Sequence, residues 1–173
     1  METEFGHRLT TSDGKHTVLL PVELFKHCTY ARNIIELDPA QSASFVLGCH
    51  LDDTDGITYP IDEGQLNCIV EFLKRHNDDK DPMSPEEMNK FKELDEWETA
   101  ILSQFTGLRA LGLAQAAEYL GHNAIVRTFA RRVAAIMESM TEKELLNHFN
   151  LPDIPFSDQE LEAAKKTVPE AFE

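Results

Sequence analysis

The sequence predicts an α+β fold: a small mixed α/β module over residues 1–76, then helices alone towards the C-terminus. Three observations predict it. Runs of β-prone residues occur only before Tyr59 and lie beside Asp-Gly turn signals. After Trp97 the apolar residues recur at three- and four-residue intervals. Between the two regions, residues 77–98 are polar and their acids outnumber their lysines.

Arg8, Leu9 and Thr10 lead into Ser12-Asp13-Gly14-Lys15, and Thr17, Val18, Leu19 and Leu20 follow. This is the pattern of a β-hairpin, because Asp and Gly both tolerate positive φ at the turn. Pro21 suits the start of a helix, having a preset φ and no N–H to satisfy. From Val22 to Glu36, the residues Leu24, Phe25, Cys28, Ala31, Ile34 and Ile35 fall at helical intervals, as one bent helix or two short ones. A loop at Asp38-Pro39 precedes two strand-like runs, Phe45-Val46-Leu47 and Ile57-Thr58-Tyr59, with Asp55-Gly56 as a turn between them. Asp62, with Gln65 three residues later, reads as a capped helix start. Leu66, Ile69, Val70 and Leu73 then trace one helical face.

The stretch 77–98 reads as an exposed acidic linker, with a helix start at Ser84-Pro85-Glu86-Glu87 inside it. Beyond it, Leu113, Ala116, Ala117 and Leu120 form one stripe, which Gly121 can end by turning left-handed. Ile125, Val126, Phe129, Val133, Ile136 and Met137 form the next. Thr141 with Glu144, and Ser157 with Glu160, have capping-box spacing. The domain reading is an α/β core over 1–76, completed across the 77–98 linker by helices 99–137, and a further helical segment over 138–173.

With 31 acidic against 16 basic residues the formal charge is −15, the wrong sign for a phosphate backbone, so no nucleic acid is expected as a partner. No apolar run approaches the roughly 20 residues of a membrane span, and the acidic N-terminus does not look like a signal peptide. Cys28, Cys49 and Cys68 are odd in number and widely spaced, which suits reduced thiols inside a cell. The histidines form no paired metal-ligand spacing. Asp53-Thr54-Asp55-Gly56 imitates the middle of a calcium loop, but Leu51 would occupy the first ligand position and Asp62 the twelfth. No phosphate-binding glycine pattern or nucleophile motif occurs. The expectation is a protein without catalytic residues, cofactor or metal. An apolar surplus remains in the C-terminal helices. It reads equally as a small helical core or as a face that a partner covers.

At this point the residues resemble a family. Leu9-Thr10-Thr11-Ser12-Asp13-Gly14 is similar to the L-x-S-S-D-G hairpin of the Skp (S-phase-kinase-associated protein) adaptors. The run from Gln65 to Asp79 resembles their L-x-x-V-I-x-x-x-x-x-H-x-x-D helix. Ala116-Ala117-Glu118-Tyr119-Leu120 resembles A-A-N-Y-L, and Thr141-Glu142-Lys143-Glu144-Leu145 with Phe149-Asn150-Leu151 resembles T-P-E-E-I…F-N-I. The pieces come in one order over nearly the whole chain.

The resemblance implies a POZ/BTB-like α/β domain with an all-α C-terminal extension. It also implies an adaptor that joins an F-box protein to the N-terminal domain of a cullin in an SCF-type ubiquitin ligase, in the cytoplasm and nucleus. Carried over by position, Ile34, Ile35, Glu118 and Tyr119 would face the cullin, with parts of the Leu66–Leu73 helix. Phe105, Leu111, Leu113, Met140, Phe149, Leu151, Phe156 and Leu161 would face the F-box protein. The chain departs from the family at Glu118, where an asparagine is usual, at Gly121-His122-Asn123, and at its last residues, Thr167 to Glu173, so it reads as a divergent member. The alternative is a self-assembling structural protein, a homo-oligomer formed through the same module and apolar helical surface when no F-box partner is present. An elongin C-like subunit fits less well, because of the long helical extension.

Overall fold

A computed structural model of the chain describes residues 6–38, 42–48, 59–78, 93–148 and 157–167. The Asp13-Gly14 turn reverses the chain between β1 (His7–Thr10) and β2 (Thr17–Leu20), which pair antiparallel with Leu9 opposite Val18. Gly14 holds a φ of 72°, where a side chain would be strained. The Asp13 carboxylate accepts from the Thr11 hydroxyl at 2.7 Å and from the Lys15 N–H at 3.0 Å. These bonds, the Thr11 one foremost, hold its pKa well below the usual carboxylate range. β3 (Ser44–Val46) lies parallel to β1 on its other side, giving the order β2-β1-β3. Of the expected second strand pair, Ile57 and Thr58 lie outside the described residues, and Tyr59 belongs to no strand.

The apolar run after Pro21 forms two short pieces, a 3-10 turn over Val22–Phe25 and the helix α1 (Thr29–Leu37). The break has a tertiary cause. Cys28 offers α1 no side-chain cap, and the Thr29 N–H is satisfied instead by the Gly121 carbonyl at 3.2 Å. Helix α2 (Glu63–Arg75) starts on the expected capping box. The Gln65 N–H donates to Asp62 Oδ1 at 2.9 Å, and the Asp62 N–H donates to Gln65 Oε1 at 3.1 Å. The buried Gln65 amide also donates to the Arg109 carbonyl at 2.9 Å, so its polarity is satisfied within the interior. Leu66, Ile69, Val70 and Leu73 all point into the core.

Helix α3 (Glu96–Leu102) begins at the C-terminal end of the stretch expected to be an exposed linker, most of which lies outside the described residues, and Glu98 departs from that expectation. Its side chain is only 7% exposed. One carboxylate oxygen accepts the Asp95 N–H at 2.8 Å, completing a capping box. The other accepts the Thr128 hydroxyl at 3.4 Å and lies 3.8 Å from His76 Nε2. Ser84-Pro85-Glu86-Glu87 lies outside the described residues.

Helix α4 (Gly107–Leu120) ends at Gly121, whose φ of 77° makes the left-handed cap, and α5 (Asn123–Glu138) packs back against it. Phe72 of α2 sits 4.9 Å from Trp97 and 4.8 Å from Phe129, ring centre to ring centre, and so joins α2, α3 and α5. Each such fully buried side chain contributes about 1.5–3 kcal/mol.

The chain divides into two compact units, Met1–Ser139 and Met140–Glu173. The second holds α6 (Glu142–His148) and α7 (Asp158–Thr167). Each starts on a capping box, with the Thr141 N–H donating to Glu144 Oε2 at 2.8 Å and the Ser157 N–H to Glu160 Oε2 at 2.8 Å. Among the described residues, no helix is long and apolar enough to cross a membrane.

Candidate partner-binding surface

Helix α1 turns Ala31 and Ile35 inward, and Cys28 just before it is buried as well. Its periodicity then places Tyr30, Ile34 and Leu37 together on an outer flank, at spacings of four and three residues. Tyr30 is 42% exposed, Leu37 is 86% exposed and Ile34 is half-buried. On α4 the same logic buries Ala116, Ala117 and Leu120, which leaves Glu118 exposed and Tyr119 half-buried.

Gly121 brings the two helices together. Its backbone passes so close that an added Cβ would lie 2.7 Å from Tyr30 N and 3.2 Å from Thr29 N. As a result the Tyr30 and Tyr119 rings lie 5.2 Å apart at an interplanar angle of 48°. The surface is a two-tyrosine platform continued along α1 by Ile34 and Leu37, and the exposed carboxylate of Glu118 belongs to the residue before Tyr119 on α4. Among the described residues that carboxylate has no ion pair and no side-chain hydrogen bond.

A groove of about 290 Å³ lies on the other side of α1, against the 3-10 turn. Phe25 and Ile35 form its apolar floor, and Val22, Glu23, Lys26, Arg32 and Glu36 its walls. Its charges are partly spent internally: Arg32 Nε lies 3.6 Å from Glu36, and the guanidinium donates to the Lys26 carbonyl at 3.3 Å.

The sequence-predicted residues divide. Tyr119 meets Tyr30 of α1, whose outer flank also carries the half-buried Ile34, and Glu118 is exposed one residue before Tyr119 on α4. Ile35 is 7% exposed on the inward face of α1, so its expected place on a cullin-facing surface is corrected to the core. Of the Leu66–Leu73 helix, Leu66, Ile69, Val70 and Leu73 are buried and the exposed parts are Asn67 and Glu71. Of the expected F-box-facing residues, Phe105 and Leu113 are 3% and 1% exposed and belong to the main core cluster. Phe105 is further covered by the Arg109 guanidinium, 5.0 Å above its ring. Neither side chain is presented to a partner. Leu111 is half-buried on α4, and Met140 is half-buried at the start of the second unit. Phe149, Leu151 and Phe156 lie outside the described residues, as does the side chain of Leu161 on α7.

Sequence reasoning missed Tyr30 and Leu37. Both were legible as the i and i+7 partners of Ile34 at i+4, once Ala31 and Ile35 are recognised as the buried pair. Inside the fold, burial pushes the Cys28 and Cys68 thiols up to about 12, which keeps them protonated and unreactive at neutral pH. His76 Nε2 lies 3.8 Å from Glu98 Oε1, and the His122 ring lies 6.2 Å from His76 and 5.8 Å from His27, so the four form a chain of polar contacts. This polar layer joins the ends of α2 and the 3-10 turn to α3 and the α4–α5 corner. Among the described residues, no group of His, Cys, Asp and Glu has the geometry to hold a metal ion.

No protein-family model and no curated protein sequence matches the chain.

Proposed function

We propose that the chain is a non-catalytic adaptor of the Skp type, joining an F-box substrate receptor to a cullin scaffold. The observation that carries the reading is the meeting of Tyr119, within the segment that resembles A-A-N-Y-L, with Tyr30 on α1, whose outer flank also carries Ile34 and Leu37. Glu118 and Tyr119 belong to the segment that resembles A-A-N-Y-L, and a surface of partly exposed aromatic and aliphatic groups is the kind that supplies binding hot spots. The second unit, Met140–Glu173, is the proposed F-box-binding element. The corrections at Phe105 and Leu113 shift that role towards Phe149, Leu151 and Phe156.

Calorimetric titration of the full chain, first with an F-box domain and separately with a cullin N-terminal domain, tests the proposal. Binding to both is expected. Phe149→Asp should then weaken the F-box titration while leaving the cullin titration intact. Binding to neither, accompanied by a stable homo-oligomer, would replace the adaptor by the self-assembling alternative.

A further inference from the structure

We infer that His122 is a pH-sensitive cap of the α4–α5 corner: its neutral ring holds the start of α5, and a protonated ring releases it. His122 is the residue before α5, and its Nδ1 accepts the Ile125 N–H at 3.5 Å. Its backbone is bonded on both sides, the N–H donating to the Ala117 carbonyl at 3.2 Å and the carbonyl accepting the Val126 N–H at 3.0 Å. Ser, Thr, Asp and Asn are the preferred residues at such a position, and each keeps an acceptor oxygen at any ordinary pH. An imidazole does not. Its protonated form carries a hydrogen on both nitrogens, so Nδ1 would then point a donor at the Ile125 N–H. The ring is only 3% exposed, which leaves water little access to replace the lost bond. Gly121-His122-Asn123 is also a place where the chain departs from the family it resembles, so the device belongs to this chain.

The neighbours oppose a charge on this ring. His27 lies 5.8 Å and His76 6.2 Å from it, ring centre to ring centre. The Glu98 carboxylate lies beyond, 3.8 Å from His76 Nε2. A proton on His76 faces that carboxylate, whereas a proton on His122 then faces the charged His76. Around them, Cys28 stays neutral with its thiol pushed up to about 12, Lys26 lies 3.7 Å from Asp78, and Arg75 lies 2.6 Å from Asp95. Glu118 is exposed at the end of α4, and Arg127 is half-buried in α5. The fold thus keeps the neutral ring, and the unfolded chain takes up the proton more readily. The contribution of the cap is complete above the ordinary imidazole value of about 6.5 and is lost as pH falls below it. Its loss reaches α1, because the Gly121 carbonyl, one peptide earlier, accepts the Thr29 N–H at 3.2 Å.

Amide hydrogen exchange of the full chain, read by NMR and corrected for the intrinsic rate at each pH, tests the cap. His122→Asn supplies an acceptor that does not titrate, and both chains share every other pH effect. Between about pH 7.5 and pH 5 the Ile125 amide of the unaltered chain is expected to lose about tenfold more protection than that of His122→Asn, and the Thr29 amide should follow it. The ring nitrogens of the unaltered chain give a second reading that needs no variant: Nδ1 of His122 should take up its proton over the interval in which Ile125 loses protection. An equal loss in both chains, or an Nδ1 that stays unprotonated while Ile125 loses protection, overturns the inference. A loss at Ile125 that leaves Thr29 protected overturns the release of the corner from α1.

Discussion

Replacing Gly121 by alanine probes the corner on which the candidate surface depends, and Gly14 provides the matched control. Both glycines hold left-handed φ, 77° and 72°. An alanine at either pays the conformational term, about 1–2 kcal/mol. They differ in space. Around Gly14 nothing lies within 4 Å of the added Cβ, whereas at Gly121 it meets Tyr30 N at 2.7 Å and Thr29 N at 3.2 Å. Those atoms are backbone, so relief requires the start of α1 to move away. The move also stretches the 3.2 Å bond from the Thr29 N–H to the Gly121 carbonyl. Overpacking of this kind costs about 1–3 kcal/mol in addition. Urea unfolding of the two variants should therefore place Gly121→Ala below Gly14→Ala by that extra amount, with unchanged slope. Near-equal losses would refute the close approach of the α4–α5 corner to α1, and with it the geometry of the Tyr30–Tyr119 platform.

Phe105→Ala should lower stability by about 3–5 kcal/mol, as for a core phenylalanine, and thermal unfolding reads this as a drop of roughly 2–4 °C per kcal/mol. A variant that kept full stability and lost only F-box affinity would return Phe105 to the partner-facing surface. Asp62→Ala removes the α2 cap and should cost about 1 kcal/mol in a urea melt, with Asp62→Asn recovering most of it. Burial lowers the pKa of His7 from 6.5, so its neutral form is the one the fold keeps, with Nδ1 accepting the Ala43 N–H at 3.1 Å. The unfolded chain then takes up this proton at higher pH than the folded one. The contribution is complete above pH 6.5 and is lost as pH falls through the lowered value, so His7→Gln should flatten the decline in stability on acidification. A variant whose decline matches the unaltered chain would remove His7 from that role. In a Cys49→Ser variant, Ellman's reagent at pH 8 should find Cys28 and Cys68 silent in the folded chain and reactive after unfolding, since both thiols are buried with pKa pushed up to about 12. Rapid reaction in the folded state would contradict their burial.

What was legible in the sequence was what short-range chemistry specifies. The Asp13-Gly14 turn, the Asp62–Gln65 box, the left-handed Gly121 and the boxes at Thr141 and Ser157 each depend on residues within four positions of one another. The features that sequence reasoning missed depend on distant partners. The split between the 3-10 turn and α1 comes from Gly121, far along the chain from Thr29. Glu98 looked like one more solvated acid because the groups that draw it inward, His76 and Thr128, lie on other helices. Phe105 and Leu113 have the same periodicity whether a core or a partner covers them, and only the packing of α4 against α5 and α2 decides it. The parallel pairing of β3 with β1 likewise has no local signal. The candidate surface was half legible: Ile34, Glu118 and Tyr119 came from motif resemblance, while Tyr30 and Leu37 required knowing which face of α1 is buried.

The central claim is that one chain holds two partners at once on separate surfaces. Sedimentation velocity of the chain with an F-box domain and a cullin N-terminal domain, each carrying its own fluorophore, tests it most directly. The account predicts a single boundary bearing both labels at the mass of a 1:1:1 complex. Two boundaries that compete as either partner is raised in concentration, or free labels with the chain sedimenting alone, would contradict it.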